Sequence, residues 1–356
     1  MGTIMSNHYK IEIKNIYKIF GADPGTAMDK IKTGTCKSDI LDQTRCVVGL
    51  NDVSLGIEAG HIHVIMGLSG SGKSTLIRHF NRLIDPTSGQ VIVDGQDVLQ
   101  FNKQELEHYR RHKISMVFQR FGLCPHLTVL ANAAFGLKIQ GVERSQREEK
   151  ARYWLEQVGL SGVEEHYPHQ LSGGMQQRVG LARALVNDPD ILLMDEAFSA
   201  LDPLIKSEMQ DQLLQLQQKL NKTIVFITHD LDEALKIGDR IALLKDGELI
   251  QQGTPAQILM EPAGDYVKSF IGGVNRYKAI RVGHVMRKAQ PLAMVKGGEN
   301  FSQTPPAGHG MVRASQSLEE IMPLLMETDS DLAVFDDDAN LTGYLNKNKV
   351  MTALYH

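Results

Sequence analysis

The segment Gly67-Leu-Ser-Gly-Ser-Gly-Lys-Ser-Thr75 sets four residues between Gly67 and the run Gly72-Lys73-Ser74. Glycines let successive backbone N–H groups curl around an anion, so a loop of this type can cradle phosphates. Lys73 adds a mobile cation for the outer phosphates, and Ser74 offers a hydroxyl to Mg2+. Ser69, Gly70, Ser71 and Thr75 complete the cradle. A turn rich in Gly and Ser has the same composition, so the flanks decide. His61 to Met66 alternates with period two, as a strand does. Leu76, Ile77, Phe80, Leu83 and Ile84 keep amphipathic helical spacing until Asp85-Pro86 stops it. That predicts a loop between a strand and the positive end of a helix, where phosphates bind.

Two further groups of residues could act on a phosphate held there. Asp195 ends the apolar run Ile191 to Met194, so its carboxylate emerges at a sheet edge and can hold Mg2+ directly or through water. Glu196, one residue on, points elsewhere and can polarise an attacking water. Two solvated carboxylates after a strand are common, and the phosphate loop upstream gives this pair its meaning. Leu171-Ser-Gly-Gly-Met-Gln-Gln177 opens a predicted helix, Met175 to Leu185, whose N-terminus suits an anion. Alone, Ser-Gly-Gly is a turn with a cap.

The elements around these residues read as an α/β chain. An opening strand runs through Ile11, Ile13 and Ile16 to Phe20. Residues 22–47 form a polar insertion with a short helical pattern at Ala27 to Ile31. Strands follow at Asp52 to Ile57, Gln90 to Val93 and Ile114 to Phe118, with a polar helix over 101–111. From about residue 123 to 185 the strand signal vanishes, which predicts a helical subdomain inserted into the α/β core. Asp202-Pro203 supplies an N-cap and first-turn proline for a helix to Leu220. Thr223 to Thr228 is a buried strand, and Arg240 to Leu244 with Glu248 to Gln251 flank the hairpin signal Asp246-Gly247. Two short helices span 255–271. Composition then shifts, and a boundary near Tyr277 separates residues 1–276 from 277–356; residues 289–310 are rich in Gly, Pro and polar groups.

Bulk properties exclude several classes. With 356 residues, 42% hydrophobic and 22% charged, the chain can bury substantial cores. A net charge of −4 argues against binding driven by nucleic-acid phosphates. Cys36, Cys46 and Cys124 form no metal-ligand spacing, which predicts reduced thiols. No apolar run is long enough to span a bilayer, so work at a membrane requires docking on other subunits.

The Ser-Gly-Gly helix start, lying between the phosphate loop and the acidic strand, resembles the signature motif of ABC ATPases, and the likeness covers roughly residues 9–272. It implies a P-loop NTPase core with a mixed sheet, an antiparallel β part and a helical subdomain. It also implies roles for further positions. Gln119, after the strand ending at Phe118, matches the glutamine loop, which senses Mg2+ and touches membrane subunits. Ser199-Ala-Leu-Asp202 matches the loop that crosses a dimer interface, and His229 the switch histidine near the γ-phosphate. Phe20 stands where these ATPases stack adenine. The resemblance makes Ser172, Gly173, Gly174, Gln176 and Asp202 nucleotide-contacting across a head-to-tail homodimer. It makes Glu196, His229 and Gln119 catalytic, and Ser74, Gln119 and Asp195 the Mg2+ set, with ATP as nucleotide.

The wording of Val64-Ile-Met-Gly-Leu-Ser-Gly70, Met194-Asp-Glu-Ala-Phe-Ser-Ala-Leu-Asp-Pro203 and His229-Asp-Leu-Asp-Glu-Ala234, with the insertion after Gly21, is similar to the ATPase subunits of importers of glycine betaine, proline betaine, choline and carnitine. Membership implies permease and substrate-binding partners and a peripheral place on the cytoplasmic face of the inner membrane. Leu332 to Asp336, Leu341 to Leu345 and Val350 to Leu354 resemble the end of one CBS module, with Val285-Met286 as its start. A small packing appendage is the other reading. An ATPase of another importer, or one acting in translation or DNA maintenance, is the alternative function. The span from Ser74 to Ser172 leaves no room for the long arms of the DNA class.

Overall fold

The computed structural model describes residues 9–119, 121–273, 280–288, 310–328, 330–336 and 339–355, in two compact units, 1–252 and 253–356. Unit one opens with β1 (Tyr9–Phe20). The insertion then folds as two helices, α1 (Pro24–Lys32) and α2 (Lys37–Thr44). Asp23 caps α1 and Pro24 fills its first position, the arrangement an N-terminus favours. The helical pattern at Ala27 to Ile31 thus marks one of two helices. The second escapes pattern reading because its only buried residue is Ile40. Ile40, Ala27, Met28 and Cys46 join Ile19 in a small core of their own.

Next come β2 (Val47–Glu58), β3 (Ile62–Met66), α3 (Lys73–Phe80), β4 (Ser88–Val93), β5 (Gln96–Asp97), α4 (Lys103–His112) and β6 (Ile114–Val117). The helix expected to reach Ile84 ends at Phe80. Arg82 takes a left-handed φ of 52° and Leu83 is left exposed. Among the described residues between β6 and β7 the regular elements are helices: α5 (Val129–Ala133), α6 (Phe135–Ile139), α7 (Arg144–Gln157) and α8 (Gly173–Leu185). Then follow β7 (Ile191–Asp195), α9 (Pro203–Leu220), β8 (Thr223–Thr228), α10 (Leu231–Ile237), β9 (Arg240–Lys245) and β10 (Glu248–Gly253).

Two sheets organise this unit. One has the order β2-β1-β4-β5 and pairs antiparallel. The other has the order β10-β9-β3-β8-β7-β6, and β9, β3, β8, β7 and β6 run parallel. Every residue of β3, β7 and β8 is buried, as expected of central parallel strands covered on both faces. Parallel pairing puts the C-terminal ends of β3, β8, β7 and β6 on one edge, side by side. That is where open α/β sheets bind ligands.

Unit two contains α11 (Pro255–Met260), α12 (Asp265–Ile271), α13 (Val282–Val285), β11 (Arg287–Lys288), β12 (Met311–Arg313), α14 (Leu318–Glu327), β13 (Leu332–Phe335), β14 (Leu341–Leu345) and α15 (Lys347–Tyr355). Its sheet has the order β11-β14-β13-β12, with β12 parallel to β13 and the other pairs antiparallel. Leu318, Ile321, Leu325, Leu332, Val334, Leu345 and Val350 are buried. The expected boundary at Tyr277 and nearly all of the Gly/Pro-rich stretch lie outside the described residues.

Candidate functional site

β3 delivers the chain into the phosphate loop, and α3 begins directly at Lys73. Gly72 sits at φ 96°, and a Cβ there would lie 2.7 Å from Gly49 O, so both conformation and space demand glycine. The turn between β9 and β10 straps the loop from behind: Gly247 N donates to Ser71 O at 3.0 Å, and Asn51 N to Gly247 O at 2.8 Å. Ser69 and Gly70 are exposed at the loop's tip, whereas Lys73 is only 4% exposed. Its Nζ donates to Gly67 O at 2.8 Å and Leu68 O at 3.0 Å. Burial lowers the Lys73 pKa, against the pull of Glu196 and Asp195.

Asp195, at the end of β7, accepts a hydrogen bond from Ser74 Oγ at 2.8 Å, and Arg78 lies 3.7 Å from its other oxygen. Burial pushes its carboxyl above the ordinary carboxylate range despite these partners. Glu196 follows in a left-handed conformation, φ 47°, that residues with side chains rarely take. Its N–H donates to Ile227 O at 3.1 Å, which ties the turn to β8. The turn carries the carboxylate away from Asp195 into a ring of groups from three neighbouring strand ends. Gln119 Nε2 donates to it at 2.9 Å, His229 Nδ1 lies 3.7 Å from it and Lys73 Nζ 4.0 Å. Lys73, Ser74, Gln119, Asp195, Glu196 and His229 therefore form one cluster.

Phe20 lies near this cluster through a short relay. Its ring edge abuts Gly49, whose carbonyl abuts Gly72. The ring is 41% exposed, with Lys18 Nζ 5.0 Å from its centroid.

The signature segment lies apart. Ser172 Oγ caps α8 by accepting from Met175 N at 3.3 Å, and Gln176 Nε2 donates to Leu171 O at 3.2 Å. Among the described residues, no hydrogen bond or ion pair joins Ser172, Gly173 or Gly174 to the Lys73 cluster. Ser172 and Gly173 are exposed, and Gly174 backs onto Ile205. Asp202 caps α9, accepting from Ile205 N at 3.1 Å. Arg78 beside Asp195 and the left-handed backbone of Glu196 carried no signal in the sequence.

The residues fit a Mg-nucleotide. Ser71 Oγ is buried with no hydrogen-bond partner, at the floor of a loop whose lysine turns its ammonium onto the loop's own carbonyls. Ser74 and Asp195 supply a hydroxyl and a carboxylate side by side, the oxygen donors Mg2+ takes.

A family model described as "ABC transporter" matches residues 50–199. The glycine betaine transport ATP-binding protein OpuAA of Bacillus subtilis is 54% identical over 288 residues, 81% of this chain and 69% of the relative. The trimethylamine N-oxide transport ATP-binding protein TmoW of Pelagibacter ubique is 42% identical over 97% of both chains. A dimeric ATP-binding cassette, MJ0796, solved in a post-hydrolysis state with ADP and Pi, superposes with a TM-score of 0.59 at 34% identity, covering 68% of this chain and 98% of that one.

Proposed function

Because this chain belongs to the ATP-binding subunits of ABC transporters, we propose that it hydrolyses ATP to drive import of a quaternary ammonium compound such as glycine betaine, choline or carnitine. The observation that carries the chemistry is the single carboxylate of Glu196, met by Lys73, Gln119 and His229 from neighbouring strand ends. Glu196 orients and polarises the attacking water, and Gln119 fixes the carboxylate's rotamer. His229 steadies the γ-phosphate. Lys73 leaves its own loop carbonyls to neutralise the β/γ oxygens, and Ser71 Oγ gains the partner it lacks. Ser74, Asp195 and Gln119 hold Mg2+, which when bound supplies charge to the phosphate oxygens and positions them. Phe20 stacks the adenine ring.

Ser172, Gly173, Gly174, Gln176 and Asp202 act on the nucleotide of a second copy, which completes each site across a homodimer. The dimeric neighbour bound to ADP and Pi supports that reading. No helix among the described residues is long and apolar enough to cross a membrane. The chain works as a peripheral subunit on the cytoplasmic face, docked on permease subunits and served by a substrate-binding protein. The likeness to TmoW over nearly its whole length favours trimethylamine N-oxide, another fully substituted amine, as a second substrate reading. The strand–turn–strand–helix run β13, β14, α15 resembles the end of one CBS-like module, and pairing with the same module of a dimer mate is one use for it.

Glu196→Gln keeps shape and removes the charge. With Mg-ATP the variant is expected to accumulate as a dimer while its ATPase falls at least about 100-fold. Undiminished turnover would remove Glu196 from its role. Uptake of betaine, choline, carnitine and trimethylamine N-oxide by a strain lacking this subunit tests the substrate separately; unchanged uptake of all four sinks that assignment.

A further inference from the structure

Behind His229 lies a polar network that the catalytic cluster does not use. Lys206, in the first turn of α9, reaches across to α10. Its Nζ donates to Asp230 Oδ2 at 2.6 Å and lies 3.6 Å from Glu233 Oε1. The Glu233 side chain is 3% exposed, and its other contact in the network is Gln210 Nε2, donating at 3.1 Å. A carboxylate withdrawn from water needs a cation, and among the described residues Lys206 is the one within ion-pair distance. Lys206 is 81% buried by side chain, so the pair is shielded from the screening that weakens surface bridges.

The attachments at the two ends of Lys206 give the network its consequence. Through its backbone, Lys206 N donates to Asp202 O at 2.9 Å, which anchors it to the last residue of the loop Ser199–Asp202. Through its side chain it holds Asp230, the residue after His229. Asp230 is pinned on two further sides: its N–H donates to Thr228 Oγ1 at 2.9 Å, and its Oδ1 accepts from Glu233 N at 3.2 Å. Asp230 has one carboxyl oxygen for the helix cap and one for Lys206. His229 is therefore held between the end of β8 and a residue tied to the start of α9.

We propose that Lys206 is a positioning residue that makes the loop Ser199–Asp202 and His229 one rigid block, so that pressure on the loop from a second copy sets where His229 stands relative to Glu196. This rests on the reading of His229 and Glu196 given under Proposed function. Among the described residues, no hydrogen bond or ion pair joins Lys206 to Lys73, Ser74, Glu196 or His229. Loss of its charge cuts the tie between α9 and Asp230, leaving only the local bonds to Thr228 and Glu233, and lets His229 drift, while Lys73 and Ser74 are untouched. The expected signature is a fall in kcat at constant KM for ATP.

The experiment compares ATPase kinetics of the purified full chain as wild type, Lys206→Met, Lys206→Arg and Lys236→Met. Lys236 joins the same two helices farther out, at Asp211 Oδ1 (2.8 Å) and Ser207 Oγ (3.0 Å). Lys206→Met is expected to lower kcat about tenfold or more with KM for ATP within about twofold, and Lys206→Arg to restore it to within about threefold. Lys236→Met is expected to stay within about twofold, since it loosens the helices without releasing Asp230. The proposal is overturned if Lys206→Met keeps its kcat, if KM rises in step, if Lys206→Arg fails to rescue, or if Lys236→Met is as damaging. Should Lys206→Met not fold, Lys206→Gln is read by the same criteria. A wild type that does not hydrolyse ATP, or whose turnover survives Glu196→Gln, defeats the functional reading instead. Wild-type hydrolysis with a normal Lys206→Met defeats this inference alone.

Discussion

The phosphate-gripping edge and the signature segment of this chain differ in how finished they are. Along the edge, Lys73, Ser74, Gln119, Asp195, Glu196 and His229 already engage one another through bonds and ion pairs. At the signature, Ser172 satisfies only its own helix cap, and Ser172 and Gly173 face solvent. The first is preorganised, so it loses little freedom when a nucleotide arrives. The second offers the helix-start N–H groups of Gly173 and Gly174, which have no backbone partner among the described residues. On the function proposed above, a chain built this way would hold a nucleotide alone and finish the chemistry with a second copy.

The sharpest way to break that comparison is to damage each region in turn. Lys73→Ala is expected to abolish nucleotide binding and dimerisation together. Ser172→Arg is expected to keep ATP binding while ATP-induced dimerisation is lost and turnover falls about 100-fold or more. Calorimetric titration with size-exclusion chromatography reads both; equal loss of ATP binding in the two variants would merge regions held here to be separate.

A smaller effect sharpens the signature side. A Cβ on Gly174 would lie 2.6 Å from Ile205 Cγ2, a position on α9 next to Lys206. Gly174→Ala is expected to cost about 1–3 kcal/mol through overpacking, seen as a lowered melting temperature, with Ile205→Ala recovering part of the loss. Additive losses in the double variant would deny that the two positions meet.

The smallest effect sharpens the gripping side. His79, fully buried on α3 with Nδ1 2.7 Å from Thr75 O, is pushed down to about 4 by burial, and His63 on β3, 3% exposed, to about 3. Both bind a proton more weakly folded than unfolded. The unfolded chain protonates them first as pH falls below their ordinary value of 6.5, so stability is full above that pH and declines toward pH 4. Each histidine contributes up to about 1.4 kcal/mol per pH unit in that window. Denaturant melts of His79→Leu should flatten the slope; an unchanged slope removes His79 as its source.

Much of the gripping edge was legible beforehand, because its signals are local. A loop pattern between a period-two strand and an amphipathic helix needs no distant information. Asp202-Pro203, Thr223 to Thr228 and the two short helices over 255–271 fell where their caps and runs placed them. The helix α2 and the early end of α3 were missed for two different physical reasons. An element lying on a small surface core shows too few apolar positions to set a period, and a left-handed residue such as Arg82 can end a helix whose pattern runs on.

Residue chemistry and local order came from the amino acids alone: which groups can hold a phosphate, which can carry a metal, and which strand or helix each one leads or follows. Which groups meet was decided by the tertiary structure. Gln119, Asp195, Glu196, Lys73 and His229 converge because β6, β7, β8 and β3 pair in an order that the chain's own succession does not contain. The left-handed turn at Glu196 and the reach of Lys206 to Asp230 have the same origin. Each depends on which strand or helix lies alongside, and that is set by packing over the whole sheet and not by any window of sequence.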